Sequence, residues 1–403
     1  MTSLSDVLLP VGRRLAPPLA APRLAQLPPR ADVVVVGAGI IGLSIAWRLS
    51  QAGLDVAVVD RGEAGGGTTF SATGMLAAAA EHEPGGDALL PFARASQRLW
   101  PDFRAALEGE SGVDIDYRAS GVLLVALGRE ETERLRARCA YLVKAGLDAR
   151  WLNGAELRAL EPGLRPSATA AIQCADDHQV DPRAVVAALL SALARRGVPV
   201  VEHRAVAVER AGGAVTGVRS GDAICRVARV VLATGAWSGG DDGLTPPGLR
   251  LPLRPVKGQA LALRARDGRD PLAHVVWTEQ VHLAPKRDGR LIVGATMEEA
   301  GFDAAVTAGG VLALLDGARR AAPGLEELEL EAVWTGFRPT TDDDAPILGA
   351  VDGSGLLVAA GHHRNGVLLA PATAQALTDL IIKGEMDACA SALTLARFQH
   401  GDP

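Results

Sequence analysis

The chain has 403 residues, which favours two or three domains at roughly 150 residues each. Hydrophobic residues make up 48% of the chain and charged residues 22%, a balance typical of a globular protein and not of a disordered one. The formal net charge of −6 argues against a protein built around a basic nucleic-acid-binding surface. No run of about 18 apolar residues is free of charge or proline, so the sequence predicts no membrane span.

The N-terminal segment and the cysteines bear on localisation. Residues 1–30 are rich in Pro, Ala and Arg, and prolines interrupt every possible helix, so we expect a flexible tail there. Arg13 and Arg14 raise the alternative of a twin-arginine export signal, but the prolines cut the apolar stretch that such a signal needs. The four cysteines lie far apart without a CxxC pair, which predicts neither a zinc site nor a disulfide framework. We therefore expect a cytoplasmic protein.

A strand, a glycine-rich turn, a helix and a second strand follow one another from residue 32 to residue 60. Residues 32–36 form a β-branched apolar run that predicts a buried strand, and residues 54–60 predict a second strand that ends on an acid. Between them, residues 37–42 read GAGIIG and open a helical pattern that ends before Gly53. This order is the dinucleotide-binding fingerprint with its structural context complete.

Each position of the fingerprint has a physical role. Gly37 permits the tight turn, Gly39 lets the backbone approach a pyrophosphate, and Gly42 lets helix and strand pack closely. The helix N-terminus then presents free N–H groups and a partial positive charge to the phosphates. Asp60 can accept hydrogen bonds from the ribose hydroxyls, which disfavours NADP but does not separate FAD from NAD.

Two further strand-to-glycine turns favour FAD over NAD. Residues 65–76 form a loop of small and hydroxyl-bearing residues that can wrap an extended cofactor. Residues 229–238 and 356–368 each place an apolar strand before a glycine turn. Three such turns scattered over the chain imply a cofactor that is contacted from several places. That arrangement fits FAD in an interrupted domain better than NAD in a compact one.

Six stretches, taken together, resemble the glycine oxidase and D-amino-acid oxidase/dehydrogenase superfamily, and most closely the FAD-dependent glycine oxidases of thiamine biosynthesis. The resemblance runs from Val33 to about Ile382. The stretches are residues 37–42, residues 67–69 with 74–76, residues 255–259, residues 289–297, residues 334–339, and Gly361-His362 with residues 364–366.

The resemblance implies an α/β FAD-binding Rossmann-like domain of the GR2 type and a second, α+β substrate domain built on an antiparallel sheet. We expect the FAD-binding domain to be discontinuous, with segments 31–86, 168–246 and 338–390. The substrate domain would comprise 87–167 and 247–337, and 391–403 would form a C-terminal tail. Amphipathic patterns predict that helices at 99–107 and 130–145 cover the substrate sheet, and a further helix is predicted to begin near Pro371.

Arg338 is the expected anchor for a substrate carboxylate, because its planar fork matches a carboxylate bidentately and the matching arginine of the family does this. The alternative is a salt bridge with residues 342–344. The resemblance places Arg364 at the substrate pocket, with a purely structural role as the alternative. Met297 matches a pocket-lining methionine, although a core methionine fits equally well.

His282 departs from the family, whose glycine oxidases carry a tyrosine that helps to bind the carboxylate. A histidine can donate the same hydrogen bond and is charged below its ordinary pKa of about 6.5. The alternative is an exposed strand histidine. The adjacent His362 and His363 raise the possibility of a metal site. No Asp, Glu or His cluster with the spacing of metal ligands accompanies them, so no metal is expected.

A larger set of residues is expected to hold FAD. They are Gly37, Gly39, Ile40, Ile41, Gly42, Asp60, Arg61, Thr68, Thr69, Ala72, Gly74, Met75, Leu76, Val206, Ala233, Thr234, Gly235, Trp237, Arg338, Gly361, His363, Arg364, Asn365, Gly366, Val367 and Leu368. Cys389 lies too far along the chain to match the cysteine that tethers flavin in some relatives, so we expect non-covalent FAD.

The resemblance implies oxidation of glycine or another small α-amino acid, such as sarcosine or D-alanine, by hydride transfer from Cα to FAD. The products would be an imino or 2-oxo acid, ammonia or an amine, and hydrogen peroxide, with molecular oxygen as the acceptor. Two alternatives stay open: a D-amino-acid dehydrogenase that passes electrons to a quinone, and a flavin-binding subunit of a larger complex. Relatives suggest a homotetramer.

Overall fold

The computed structural model describes residues 9–10, 26–240, 244–265 and 271–398. The rest of the predicted N-terminal tail and residues 399–403 of the predicted C-terminal tail lie outside the described residues. In chain order the strands are β1 (Leu9–Pro10), β2 (Val33–Val36), β3 (Val56–Val59), β4 (Met75–Leu76), β5 (Val122–Ala126), β6 (Arg150–Asn153), β7 (Ala170–Cys174), β8 (His178–Gln179), β9 (Val200–Val201), β10 (Ala207–Ala211), β11 (Ala214–Ser220), β12 (Ala223–Arg226), β13 (Arg229–Leu232), β14 (Arg254–Arg264), β15 (Val275–Trp277), β16 (His282–Pro285), β17 (Arg290–Gly294), β18 (Glu329–Thr340), β19 (Ile347–Ala350) and β20 (Leu356–Ala360).

The α-helices in these ranges are α1 (Ile40–Gln51), α2 (Thr68–Ser71), α3 (Leu90–Ser111), α4 (Arg129–Lys144), α5 (Gly154–Leu160), α6 (Pro182–Arg195), α7 (Ala308–Ala321), α8 (Gly366–Lys383) and α9 (Ala388–Ser391). Three short 3-10 helices complete the described elements: Gly235–Gly239, Pro323–Glu327 and Leu395–Phe398. None of the helices in the described ranges is long and apolar enough to cross a membrane.

The first domain is built on a sheet with the described strand order β19-β20-β13-β2-β3-β9. Its strands are parallel except for β19, which runs antiparallel to β20. Alternate residues of β2 face opposite sides, as the period of a strand requires. Val33 and Val35 join the core under helices α1, α3, α6 and α8, whereas Val34 and Val36 join a second core with the small β10–β12 sheet. Burial on both faces explains the unbroken run of valines.

The second domain is built on a larger sheet with the described strand order β1-β18-β14-β17-β16-β15-β5-β7-β6. Its pairs are antiparallel, as the short strands without intervening helices predict, with the exception that β15 runs parallel to β5. Helix α7 covers one face, where Leu314 and Ala318 pack against Leu283 and Val293. The other face carries Ala260 and Trp334. It packs toward helix α4 and the region where the two domains meet.

The structure corrects the predicted domain boundaries at three places. Strand β7 pairs with β5 and β6, so residues 170–174 belong to the substrate sheet and not to the FAD-binding domain. Helix α3, predicted at 99–107 to cover the substrate sheet, packs instead in the core of the first domain through Trp100 and Phe103. Strand β18 continues through the predicted boundary at 337/338, so Arg338 stands on a substrate-sheet strand. Each of these assignments depends on contacts between residues that are distant in sequence. Local periodicity cannot show such contacts.

The predicted tails are also shorter than expected. Leu27 is buried in the second core, and the Arg226 amide donates to the Pro29 carbonyl at 2.9 Å. Leu9–Pro10 pairs with β18 as an edge strand, a place in a sheet where proline is tolerated. At the other end, Leu395 is buried and the Arg397 guanidinium pairs with Asp343 at 2.7 Å.

Candidate active site

The glycine turn between β2 and α1 has the geometry that the fingerprint predicts. Gly37 has a φ of +110°, and a Cβ on Gly42 would lie 1.9 Å from the Gly37 carbonyl oxygen, so neither position accepts a side chain. A Cβ on Gly39 would meet only the Thr69 hydroxyl, at 3.3 Å. Gly39 therefore leaves an open approach to the N-terminus of α1, where no acidic side chain competes for the first turn. This turn fits a dinucleotide pyrophosphate.

Asp60 and Thr69 brace that turn. One Asp60 carboxylate oxygen accepts from the Ala38 amide at 2.7 Å, and the other accepts from the Gly62 amide at 2.8 Å. The Thr69 hydroxyl accepts from the Ile40 amide at 3.1 Å. Both carboxylate oxygens thus already bind the backbone beside the turn. That Asp60 also accepts a hydrogen bond from a ribose hydroxyl remains a prediction.

Further predicted cofactor residues contact the fingerprint turn, one another, the second core or the substrate sheet. A Cβ on Gly37 would lie 2.3 Å from the Ala233 carbonyl, so the second glycine turn abuts the first. The Arg61 guanidinium lies 4.9 Å from the Trp237 ring centroid. Val206, between β9 and β10, packs partly buried against the second core. The Thr68 hydroxyl donates to the Phe337 carbonyl at 2.6 Å and so ties the hydroxyl loop to the substrate sheet.

The third turn leads directly into α8. The helix begins at Gly366 with Asn365 as its N-cap and not near Pro371, because Pro371 is accommodated inside the helix. The predicted contacts of Gly366, Val367 and Leu368 therefore belong to the first turn of a helix, where amide groups lack intrahelical acceptors. That N-terminus favours negative charge nearby.

The adjacent histidines have separate partners. The His362 ring bonds the Thr373 hydroxyl at 3.1 Å in the core, and the His363 ring bonds the Thr340 hydroxyl at 2.8 Å. Burial lowers the pKa of each imidazole to about 3. Within the described ranges, no group of three or more His, Cys, Asp or Glu side chains could hold a metal ion.

A cavity of about 600 Å³ lies where the two sheets meet. It brings together residues predicted from five separate stretches of the sequence. The predicted residues that line it are Thr68, Ala72, Gly74, Met75, His282, Met297, Arg338, His363, Arg364 and Val367. The glycines and Asp60 of the fingerprint are not among its lining residues, as expected if they hold the distal part of an extended cofactor.

Arg338 is a cation without a carboxylate partner in the described part of the chain. Its guanidinium donates to the Thr296 carbonyl at 3.1 Å and to the Lys257 carbonyl at 3.3 Å. A Cβ on Gly258 would lie 2.6 Å from it, so the glycine of the 255–259 stretch makes room for the guanidinium. Burial, followed by the charge of Arg364, lowers the pKa of Arg338 to about 10, and the group is charged at neutral pH.

The alternative salt bridge between Arg338 and residues 342–344 is not formed. Asp342 pairs with Arg254, Asp343 pairs with Arg397, and the Asp344 carboxylate lies 3.9 Å from His363. Arg338 is therefore left with two backbone carbonyls and the cavity, which is the environment of an anion-binding group.

Arg364 also lines the cavity, but it has a carboxylate partner. Its Nε donates to Glu81 at 2.7 Å, Nη2 contacts the same carboxylate oxygen, and the guanidinium lies 5.8 Å from the Trp277 ring centroid. The Glu81 charge is the largest influence on this guanidinium and raises the pKa of Arg364. The two arginines of the cavity are thus electrostatically unequal.

His282 is not the exposed strand histidine of the alternative, and its imidazole is uncharged; its hydrogen bond to a substrate carboxylate remains a prediction. It stands on β16 opposite Gly294 and Trp277, and its buried Nε2 has no hydrogen-bond partner among the described residues. Burial, with the charges of Arg338 and Arg364, lowers the pKa of the imidazole to about 3. The imidazole is therefore neutral at neutral pH; His282 lines the cavity, and its occluded Nε2 lies against Gly294.

Met297 lines the cavity and is 58% exposed, so it is not a core methionine. Sequence reasoning missed other lining residues, among them Thr73, Glu81, Trp277 and Ala260. Thr73 belongs to the hydroxyl loop and could have been found there. Glu81 follows a run of four alanines and carries no local signal, because its partner Arg364 lies 283 residues away in the sequence.

A dinucleotide-type turn on the first sheet, together with a cavity that an arginine of the second sheet lines, is the arrangement of a flavin-dependent oxidoreductase. The chain belongs to the family of FAD-dependent oxidoreductases whose description reads "DAO: FAD dependent oxidoreductase", which it matches over residues 32–380. FAD is its cofactor.

Relatives cover most of the chain. The glycine oxidase of Bacillus subtilis is 35% identical over 360 residues, which are 88% of this chain and 94% of the relative. The crystal structure of glycine oxidase from Geobacillus kaustophilus superposes with a TM-score of 0.83 at 33% identity, covering 92% of this chain and 98% of that one. The bifunctional protein ThiO/ThiG of Trichormus variabilis is 34% identical over 373 residues. The chain spans 55% of the length of that bifunctional relative.

Proposed function

We propose that this protein is an oxidase of glycine or another small α-amino acid, with molecular oxygen as the electron acceptor. The observation that carries the proposal is Arg338, a partly buried guanidinium that faces the cavity without a carboxylate partner in the described ranges. A substrate carboxylate would supply the missing counter-charge. The glycine oxidases among its relatives support the choice of a small amino acid.

Arg338 and His282 would hold the substrate carboxylate from two sides. The Arg338 fork donates in a fixed plane, and two backbone carbonyls prevent it from rotating away. His282 lines the cavity and is neutral, so an imidazole N–H can donate a hydrogen bond without adding a third cation. In this arrangement the arginine supplies the charge and the histidine supplies orientation.

We propose that FAD lies along the three glycine turns, with its reactive end at the cavity. Residues 37–42 and Asp60 would hold the pyrophosphate and ribose end, and residues 68–76 and the start of α8 would border the reactive end. FAD supplies the acceptor for a hydride from the substrate Cα. The amide groups at Gly366–Leu368 would stabilise negative charge at that end of the cavity.

Non-covalent binding is part of the proposal. Cys389 lies on α9, beyond the far end of α8, whose 18 residues span about 27 Å from the cavity. Cys174 and Cys225 are buried in strands and are not among the lining residues of the cavity. All four cysteines are free, which supports the cytoplasm as the compartment.

We infer a role in thiamine biosynthesis from the same resemblance, supported by the bifunctional ThiO/ThiG relatives. The imine formed from glycine would either hydrolyse or enter thiazole assembly. We also propose a homo-oligomer, which light scattering after gel filtration would test. A single protomer mass at micromolar concentration would contradict it.

Oxygen uptake and peroxide formation with glycine, sarcosine and D-alanine test the proposed function. We expect oxygen uptake and a matching amount of hydrogen peroxide with at least one of them. Turnover only with an artificial dye or a quinone would make the protein a dehydrogenase. No turnover with either type of acceptor would refute the proposed activity.

A further inference from the structure

The two arginines of the cavity differ in what already binds them. Arg338 contacts two backbone carbonyls, whereas Arg364 donates twice to one oxygen of Glu81. An arginine that faces a ligand site with an ion-pair partner in place contributes little net charge to a ligand. Arg364 is therefore a neutralised cation, and Arg338 is the one that retains its charge for a substrate.

Glu81 is fixed in this position by its backbone. Both oxygens of the buried Asp177 carboxylate accept from this loop, at 3.1 Å from the Ala79 amide and 2.7 Å from the Ala80 amide. Arg138 donates to the Ala80 carbonyl at 2.6 Å. The Glu81 side chain is only 8% exposed. The loop thus presents one carboxylate to the cavity and cannot easily withdraw it.

The charges that face the cavity can be counted. At its centre, Arg338 and Arg364 are positive, Glu81 is negative, and His282 and His363 are neutral, which leaves one net positive charge. At its rim, two ion pairs cancel, Arg134 with Glu279 and Arg138 with Glu83. The remaining lining carboxylate, Glu131, accepts from the Leu127 amide and adds one negative charge at the rim.

We propose that Glu81 is a specificity-determining residue that restricts this site to amino acids with a single carboxylate. One net positive charge balances one carboxylate on a substrate whose amine reacts in its neutral form. A second carboxylate, as in iminodiacetate or D-aspartate, would enter a site whose second arginine is already neutralised and whose rim is negative. This inference rests on the proposed function, because it concerns the substrate class of the same site.

Carboxylates that cannot react test the charge balance without turnover. Butyrate and glutarate are the carbon analogues of sarcosine and iminodiacetate, and they differ by one carboxylate. Changes in the flavin absorbance of the holoenzyme report their binding. We expect the wild-type protein to bind butyrate at least tenfold more tightly than glutarate. Equal or tighter binding of glutarate would overturn the proposal without any variant.

Glu81→Gln removes the charge and keeps an oxygen that can accept from Arg364. We expect the ratio of glutarate to butyrate affinity to rise at least tenfold, about 1.4 kcal/mol. The matched control is Glu83→Gln, two residues along the same loop, whose partner Arg138 lies at the rim. An unchanged ratio in Glu81→Gln, or an equal rise in Glu83→Gln, would overturn the proposal. Turnover of glycine by the wild-type protein tests the proposed function separately.

Discussion

Replacing Arg338 with alanine tests the carboxylate anchor. The guanidinium is partly buried, makes two hydrogen bonds to carbonyls, and has no described carboxylate partner. In the proposed complex the substrate carboxylate is therefore its main counter-charge. Removing one member of a buried, hydrogen-bonded charge pair costs about 2–5 kcal/mol. At about 1.4 kcal/mol per tenfold, kcat/KM should fall roughly thirty- to several-thousand-fold.

Steady-state kinetics on glycine, sarcosine and D-alanine measure this loss. Arg338→Lys should recover only part of it, because an ammonium group cannot make two parallel hydrogen bonds. The matched control is Arg254→Ala, on the neighbouring strand β14, where the guanidinium is exposed and pairs with Glu299 and Asp342. If Arg338→Ala keeps the wild-type kcat/KM for every amino acid tested, the anchor assignment is wrong, and the substrate would be an amine without a carboxylate.

Three further predictions concern the cofactor turn, His282 and Asp177. Gly39→Val should fold but lose FAD, because a Cβ at this position meets only the Thr69 hydroxyl within the protein and the side chain would block the pyrophosphate. The ratio of flavin to protein absorbance measures the loss. The control Gly62→Ala should retain FAD. His282→Tyr should leave the pH dependence of kcat/KM between pH 5 and 8 unchanged, because a pKa of about 3 keeps the histidine neutral in that range. A wild-type change in kcat/KM near the ordinary histidine pKa that disappears in the variant would contradict this. Burial raises the pKa of Asp177 from 3.8 to about 7, so its contribution to the free energy of unfolding is fully present below pH 3.8 and is lost as the pH rises through 7. Chemical denaturation at several pH values measures the free energy of unfolding of the wild-type protein and of Asp177→Asn. The difference between them should fall by up to about 4 kcal/mol as the pH rises from 3.8 to 7. Asp176→Asn, at an exposed position, is the control.

Local patterns predicted the elements that hold the dinucleotide. The valine run at 33–36, the turn at 37–42 and the helix after it are each determined by neighbouring residues, and the structure has them within a residue or two. The apolar stretch at residues 198–208 instead contains two separate strands, Val200–Val201 and the start of β10, with His203 at a positive φ between them. Elements that are determined by one dominant local pattern are the ones a sequence shows most directly.

The domain assignment of α3 and the partner of Arg364 could not be predicted in this way. The apolar stripe of α3 predicted a buried face, but nothing in the stripe distinguishes the helices of the first domain from the sheet of the second. Glu81 and Arg364 meet only because the loop after β4 and the turn before α8 converge at the cavity. The electrostatic state of His282 likewise follows from burial beside two arginines that are distant in sequence.

Anaerobic reduction of the bound flavin by glycine or sarcosine tests the central claim most directly, because it depends on cofactor, anchor and substrate at once. The account predicts that the yellow absorbance of the oxidised flavin is lost when the amino acid is added without oxygen. Admission of oxygen should then restore it, with one hydrogen peroxide formed for each flavin. A flavin that stays oxidised with every small α-amino acid tested, while dithionite still reduces it, would contradict the account.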